Sequence, residues 1–168
     1  RVDGAIANVT IGPNLRERRN VDAVHSRGIE LVGKATVGRI SWDGSLSLLD
    51  AQVEGSGASF ALDGKRPAQV PIFAMSTTLA WRPAEGWLLS ATLRHSSSQF
   101  EDDLETDRLP AQTTLDAIAT VPLTPRVSLL FRAENLTGET IITRNQAGSI
   151  DLGTPRTVWA GLRISIGR

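Results

Sequence analysis

The chain has 168 residues and is electrically balanced, with 18 Lys plus Arg against 18 Asp plus Glu, and it contains no cysteine. The balance removes the basic surface that would argue for a nucleic-acid partner, and the missing cysteine excludes disulfides, thiolate metal sites and cysteine nucleophiles. No stretch approaches the roughly 18 consecutive apolar residues of a spanning helix, which leaves room for a membrane barrel whose strands alternate.

In chain order, the N-terminal Arg1-Val2-Asp3-Gly4 carries neither a signal peptide nor a lipidation site, so the sequence is expected to be a segment of something longer. Strands are predicted near residues 1–11 and 19–38, then after a tight link at Trp42-Asp43-Gly44. Phe73, Met75, Thr77, Leu79 and Trp81 alternate with Ala74, Ser76, Thr78, Ala80 and Arg82. After a link at Arg82-Pro83-Ala84-Glu85-Gly86, Leu89, Ala91 and Leu93 oppose Ser90, Thr92 and Arg94. Past Leu123-Thr124-Pro125-Arg126, Val127, Leu129, Phe131 and Ala133 oppose Ser128, Leu130, Arg132 and Glu134. Finally Val158, Ala160, Leu162, Ile164 and Ile166 oppose Thr157, Trp159, Gly161, Arg163 and Ser165. Period two means all-β, because successive strand side chains point to opposite faces. The pattern predicts about eight antiparallel strands, with tight links alternating with long polar ones at residues 54–70, 99–110 and 137–155.

Short turns at one end and long loops at the other are the mark of an up-and-down transmembrane β-barrel. Trp42, Trp81 and Trp87 adjoin the short links and would ring one rim, where amphipathic aromatics collect at a membrane interface. The apolar faces carry no charge in mid-strand, whereas the opposite faces carry Arg94, Asp116, Arg132, Glu134 and Arg163 among Ser, Thr and Gly. Periodicity alone fits a soluble sandwich with the apolar face inside, or a barrel with that face in lipid and the polar face in a lumen. Lysine occurs only at Lys34 and Lys65, unlike a solvated Lys/Glu surface, which favours the lumen.

Four motifs then line up in order. Ser26-Arg27-Gly28-Ile29-Glu30-Leu31 resembles a strand found late in TonB-dependent outer-membrane receptors. Gly64-Lys65-Arg66-Pro67-Ala68-Gln69-Val70-Pro71 resembles the loop-to-strand link that follows it. Arg132-Ala133-Glu134-Asn135-Leu136 resembles a strand end of that family, and Leu152 to Arg163 its closing strand. The resemblance implies the C-terminal portion, residues 1–168, of a roughly 22-stranded barrel normally filled by a separate plug domain. It implies residence in the bacterial outer membrane and contact with the lipid bilayer, the remaining barrel strands and the plug. Through the plug it implies an indirect contact with TonB, and uptake of a siderophore-like metal chelate or similar nutrient, with no cofactor and no catalysis. The family usually ends on an aromatic residue; here Ile166 is followed by Gly167 and Arg168.

Individual residues add candidates. Arg94, Arg132 and Arg163 would point inward, either guiding anionic cargo or pairing with Glu134, Asp116 or the plug. Glu101, Asp102, Asp103, Glu105 and Asp107 offer oxygen ligands but lack the spacing of a calcium loop, so they are expected as a solvated loop. Candidate ligand contacts are therefore Arg94, Arg132, Glu134, Arg163, Asp102 and Asp103. His95, Ser96 to Ser98 and Asp102 could be assembled into a triad only on paper, because His95 and Ser96 point to opposite faces and no nucleophile elbow is present. Asn8-Val9-Thr10 and Asn135-Leu136-Thr137 fit a glycosylation sequon by chance. Two other readings stay open: a small eight-stranded barrel closed on itself, and a soluble β-sandwich binding module.

Overall fold

The computed structural model describes residues 1–12, 15–146 and 148–166; Gly167 and Arg168, where the chain departs from the aromatic ending, lie outside them. The strands are β1 (Val2–Asp3), β2 (Ile6–Gly12), β3 (Leu15–Asn20), β4 (Ala23–Val37) and β5 (Ile40–Glu54). A 3-10 helix (Gly57–Leu62) precedes β6 (Phe73–Trp81), β7 (Leu88–Ser96), β8 (Gln99–Phe100) and β9 (Arg108–Leu109). There follow β10 (Gln112–Thr124), β11 (Val127–Glu134), β12 (Ile142–Gln146), β13 (Ser149–Leu152) and β14 (Thr157–Ile164). Among the described residues one eight-stranded antiparallel sheet has the order β1-β4-β5-β6-β7-β10-β11-β14. Three two-stranded ribbons, β2–β3, β8–β9 and β12–β13, sit within the long connections.

Register assigns every side chain to a face. One row across the sheet is Ile40, Trp81, Leu89, Ala119, Phe131 and Ala160; the next on the same face is Trp42, Leu79, Ala91, Ala117, Ala133 and Val158. In β4 this face shows Ile29, Leu31, Gly33, Ala35 and Val37, and its first charged row is Arg27 opposite Asp50. Ile29 to Val37 covers about 26 Å of strand at ~3.3 Å per residue, or about 20 Å of height at a tilt near 40°, close to the apolar band of an outer-membrane barrel. The opposite face carries Lys34 paired with Asp43 at 3.1 Å, Thr78 bonded to Thr92 at 2.8 Å, and the ion pairs Arg94–Asp116 and Arg132–Glu134.

The predicted alternation of β6, β7, β11 and β14 is thus the observed one, and its apolar face is bare. Ile29 is 57% exposed, Leu79 55% and Leu162 63%. A sandwich needs a second sheet on this face, and the ribbons in the connections do not supply it. The expectation of a soluble sandwich is corrected on that ground, since so wide an apolar surface is a lipid or partner surface.

Closure into a small barrel is corrected by direction. β1 pairs with β4 only through Val2–Val24 and Asp3–Ala23, so the sheet has seven long strands. Each is antiparallel to the next, so the two outermost, β4 and β14, run the same way and cannot close the antiparallel ladder. Their outer edges keep backbone donors and acceptors that a bilayer cannot satisfy, which marks an open segment awaiting further strands.

Two local expectations also change. Trp42-Asp43-Gly44 lies inside β5; the turn is Gly38-Arg39, flanked by the pair Val37–Ile40. Gly38 has φ 58, which suits the first central position of a type II′ hairpin turn. Gly44 serves another purpose. A Cβ there would lie 2.5 Å from the Trp42 ring, and one at Gly33 2.7 Å away, so both glycines make room for the indole. The second change is at the start, where residues 4–22 are a long connection containing the β2–β3 ribbon. With residues 55–72, 97–111 and 135–156, all four long connections leave from the end opposite the short turns.

Candidate functional site

A wall with lipid on one side and a lumen on the other has no interior of its own, so the apolar core sits among the long connections. Val9, Val21, Val53 and Leu62 are buried together, with Ala7, Val24 and Leu104 against them. This small core joins the first, second and third connections into one crown.

Buried polar contacts complete the crown. Glu101, Asp102 and Asp103 are 6%, 4% and 8% exposed, so the acidic stretch is largely folded inward and the expectation of a solvated run is corrected. Asp102 accepts from the backbone N–H of Leu104, Thr106 and Asp107 at 3.1, 2.8 and 2.7 Å, and from the Thr106 hydroxyl at 2.8 Å. Burial disfavours its charge, but these donors outweigh burial and hold its pKa below the ordinary 3.8. Asp103 takes the Thr10 N–H and hydroxyl at 2.8 and 2.6 Å, tying the third connection to the β2–β3 ribbon. Lys65 Nζ donates to the Leu104 carbonyl at 3.1 Å, and the Arg66 N–H to Glu105 Oε1 at 2.9 Å, tying it to the second. Glu101 accepts from Gln69 Nε2 at 2.9 Å.

Asn135 organises the base of the fourth connection; the sequence showed it only within the strand-end motif and a chance sequon, not among the candidate contacts. It is 2% exposed and has φ 50. Its Nδ2 donates to the carbonyls of Glu139 and Thr154 at 2.8 and 3.2 Å. Its Oδ1 accepts from the Glu139 N–H at 3.0 Å and the Thr137 hydroxyl at 2.9 Å. Its own N–H reaches Asp116 Oδ1 at 2.9 Å, linking this base to the polar wall. Asparagine is among the few residues with a side chain that tolerate the left-handed region and offer both donor and acceptor there; its place between Glu134 and Leu136 in the strand-end motif was the available signal.

On the wall, Arg94 of β7 pairs with Asp116 of β10, and Arg132 of β11 with Glu134. Arg132 Cζ also lies 5.6 Å from the Trp159 ring centroid, a cation–π contact on the same face. Asp116 joins these pairs through the Asn135 N–H. Arg163 stands opposite Ser128, four residues along β14 from Trp159, and so about 13 Å from that group. The histidines are dispersed. His25 contacts Glu54 at 2.9 Å, whereas His95 contacts the Thr113 hydroxyl at 2.8 Å from the apolar face and does not meet Ser96.

Crown, polar wall and bare apolar face are the parts of a receptor barrel, and the family model for the TonB dependent receptor-like β-barrel matches residues 1–136. The chain belongs to this family. No curated protein matches the sequence. Among solved structures, the chain resembles the ferric yersiniabactin uptake receptor FyuA from Yersinia pestis, with TM-score 0.75 and 18% identity over 88% of this chain and 24% of that one. It resembles the siderophore receptor PiuA from Acinetobacter baumannii, with TM-score 0.73 and 16% identity over 84% and 22%. It also resembles BauA, the ferric preacinetobactin receptor from the same organism, with TM-score 0.69 and 23% identity over 86% and 23%. The chain thus spans about a quarter of the length of the solved receptors it matches. Members of this family are outer-membrane transporters and receptors rather than enzymes.

Proposed function

We propose that residues 1–168 form the C-terminal wall and crown of an outer-membrane receptor that imports a siderophore-like metal chelate. In this reading the remaining strands close the barrel between the edges of β14 and β4, a plug fills the lumen, and TonB energises the plug. The observation that carries the reading is the sheet itself: bare and apolar outside, polar and ion-paired inside, open at both edges, with every long connection at one end. Arg94, Arg132, Glu134 and Arg163 then lie along the cargo path or against the plug, and Asp102 and Asp103 shape its mouth. The chelate is proposed because the neighbours by fold are named as receptors for such cargo; the β12–β13 ribbon, closed by Arg144 on Asp151 at 2.7 and 3.1 Å, would flank its entry.

The test is uptake of labelled iron chelates by cells producing the full receptor that carries this chain, with and without TonB. Energised accumulation that disappears without TonB is expected. Uptake indifferent to TonB, at any chelate concentration, would refute the reading.

A further inference from the structure

The bare face of the sheet is not uniform. Across β6, β7, β10, β11 and β14 one of its rows reads Leu79, Ala91, Ala117, Ala133, Val158, so three alanines lie between two larger side chains. In the next row toward the short turns, Ala119 stands between Leu89 and Phe131. The small side chains leave a groove of about 390 Å³, bounded by their larger neighbours and by Trp81. β6, β7, β10 and β11 each have both ladder neighbours within the chain, so paired strands set its floor, on the face away from the lumen.

The rim below the groove is basic. The short turns carry Arg39, Arg82 and Arg126 against Glu85 alone, all four exposed, in a chain whose total charge is zero. The β6–β7 turn and the end of β10 meet beneath the groove, where a Cβ on Gly86 would lie 3.4 Å from Pro122. Arg82 spends one donor on the Ser41 hydroxyl at 3.1 Å and Arg39 one on the Pro83 carbonyl, of the five that a guanidinium offers. Between Ala119 and Thr124, the last residue of β10, the strand covers about 16 Å, or about 13 Å of height at a tilt near 40°. One leaflet contributes about 15 Å of hydrocarbon, half the bilayer core. An acyl chain lying over Ala119 therefore has its headgroup at the turns, the level that Trp81 and Trp87 mark.

We infer that this groove and the arginines below it hold one anionic glycerophospholipid, with an acyl chain over Ala119, Ala117 and Ala133 and the phosphate between Arg82 and Arg126. The inference rests on the outer-membrane reading above and adds a lipid partner to it. The lipid belongs to the leaflet at the short-turn end, which in outer-membrane barrels faces the periplasm. A smooth wall meets every lipid alike, whereas a groove filled by one chain gains the close contacts that the alanines forgo. Basic clusters at the membrane surface favour anionic headgroups. A second copy docked here about a two-fold axis would set the same arginines against each other, and like charges across an interface oppose it.

The experiment uses the full receptor that carries this chain, in mild detergent, offered equal amounts of dioleoyl phosphatidylglycerol and dioleoyl phosphatidylethanolamine. The two share their chains and differ in head charge, and retained lipids are counted by native mass spectrometry. One phosphatidylglycerol is expected to be held about tenfold more tightly than phosphatidylethanolamine. The double variant Arg82→Gln, Arg126→Gln should lose that preference. The double variant Ala117→Leu, Ala119→Leu should fill the groove and release the lipid, with heat-modifiable gel mobility confirming that each variant is folded. Equal retention of the two lipids by the parent overturns the inference and leaves the outer-membrane reading intact. So does a preference that survives in the folded glutamine variant, or full retention in the folded leucine variant. If the leucine variant does not fold, the glutamine variant decides alone. A receptor that stays monodisperse without detergent and retains neither lipid overturns the outer-membrane reading as well.

Discussion

Replacing Asn135 by alanine removes a side chain that is 2% exposed and makes four hydrogen bonds. Each such bond contributes about 1 kcal/mol net, and a buried group left without a partner costs about as much again. Alanine at φ 50 adds about 1 kcal/mol of backbone strain, while water entering the vacated space returns part of the loss. The expected cost is about 3 kcal/mol, or roughly two decades in a local opening equilibrium. The loss should be local, because the β11–β14 ladder runs from Glu134–Thr157 to Val127–Ile164 without Asn135. Hydrogen exchange in the full receptor should therefore quicken about a hundredfold over residues 137–156 and leave β10, β11 and β14 protected. Asn135→Gly, which accepts the backbone angle, isolates the hydrogen-bond share, whereas Asn135→Asp turns a charged acceptor on the Glu139 and Thr154 carbonyls and should cost more than loss of the donors alone. An acceleration under about threefold, or one spread evenly through the sheet, would refute the reasoning.

Three further outcomes follow from the geometry. Gly44→Val puts a Cβ 2.5 Å from the Trp42 ring, displaces the indole from its 2.7 Å bond to the Thr77 hydroxyl, and should cost about 1–3 kcal/mol; a lowered heat-unfolding midpoint on gels checks this, and an unchanged midpoint counts against it. The pKa of Asp102 is lower in the fold than its unfolded 3.8, so its stabilisation is complete above that value and disappears as pH falls through the folded pKa. Asp102→Asn should expose residues 101–109 to proteolysis at neutral pH, with the difference from the parent narrowing under acid; a constant difference would be inconsistent with this account. Leu93→Arg, in the centre of the apolar face, should cost about 2–4 kcal/mol and block assembly, whereas Ser90→Arg on the polar face should assemble; equal yields of heat-modifiable protein would reverse the assignment of faces.

The wall was legible because its pattern is strictly local. Leu89-Ser90-Ala91-Thr92-Leu93-Arg94 declares its two faces without reference to any partner, and the register places them as read. The connections were less legible because their polar residues are spent on long-range contacts. Asp103 and Thr10 lie 93 positions apart, and nothing near either announces the other. A run of acids normally faces water, but here backbone donors replace the water, and donors carry no sequence signal. Trp42-Asp43-Gly44 misled for a related reason. Glycine punctuates turns, yet it also clears space under a large ring, and only the register shows that Gly44 lies across from Gly33 beneath Trp42.

The division of labour between wall and crown has a physical basis. A side chain on the wall faces lipid or lumen, so the wall is held by its ladders and by cross-strand pairs such as Thr78–Thr92. The crown has few ladders, and it is held instead by the Val9, Val21, Val53 and Leu62 cluster and by carboxylates buried against N–H donors. Such carboxylates are costly to bury and fix their partners closely once satisfied. Thr10 lies across the ribbon from Arg16, and Glu105 holds the backbone N–H of Arg66, so each clamp fixes backbone well beyond its own connection. A crown held in this way should loosen when one clamp is removed, so Thr10→Val or Glu105→Gln should quicken hydrogen exchange in the first three connections and leave the ladders of the sheet protected.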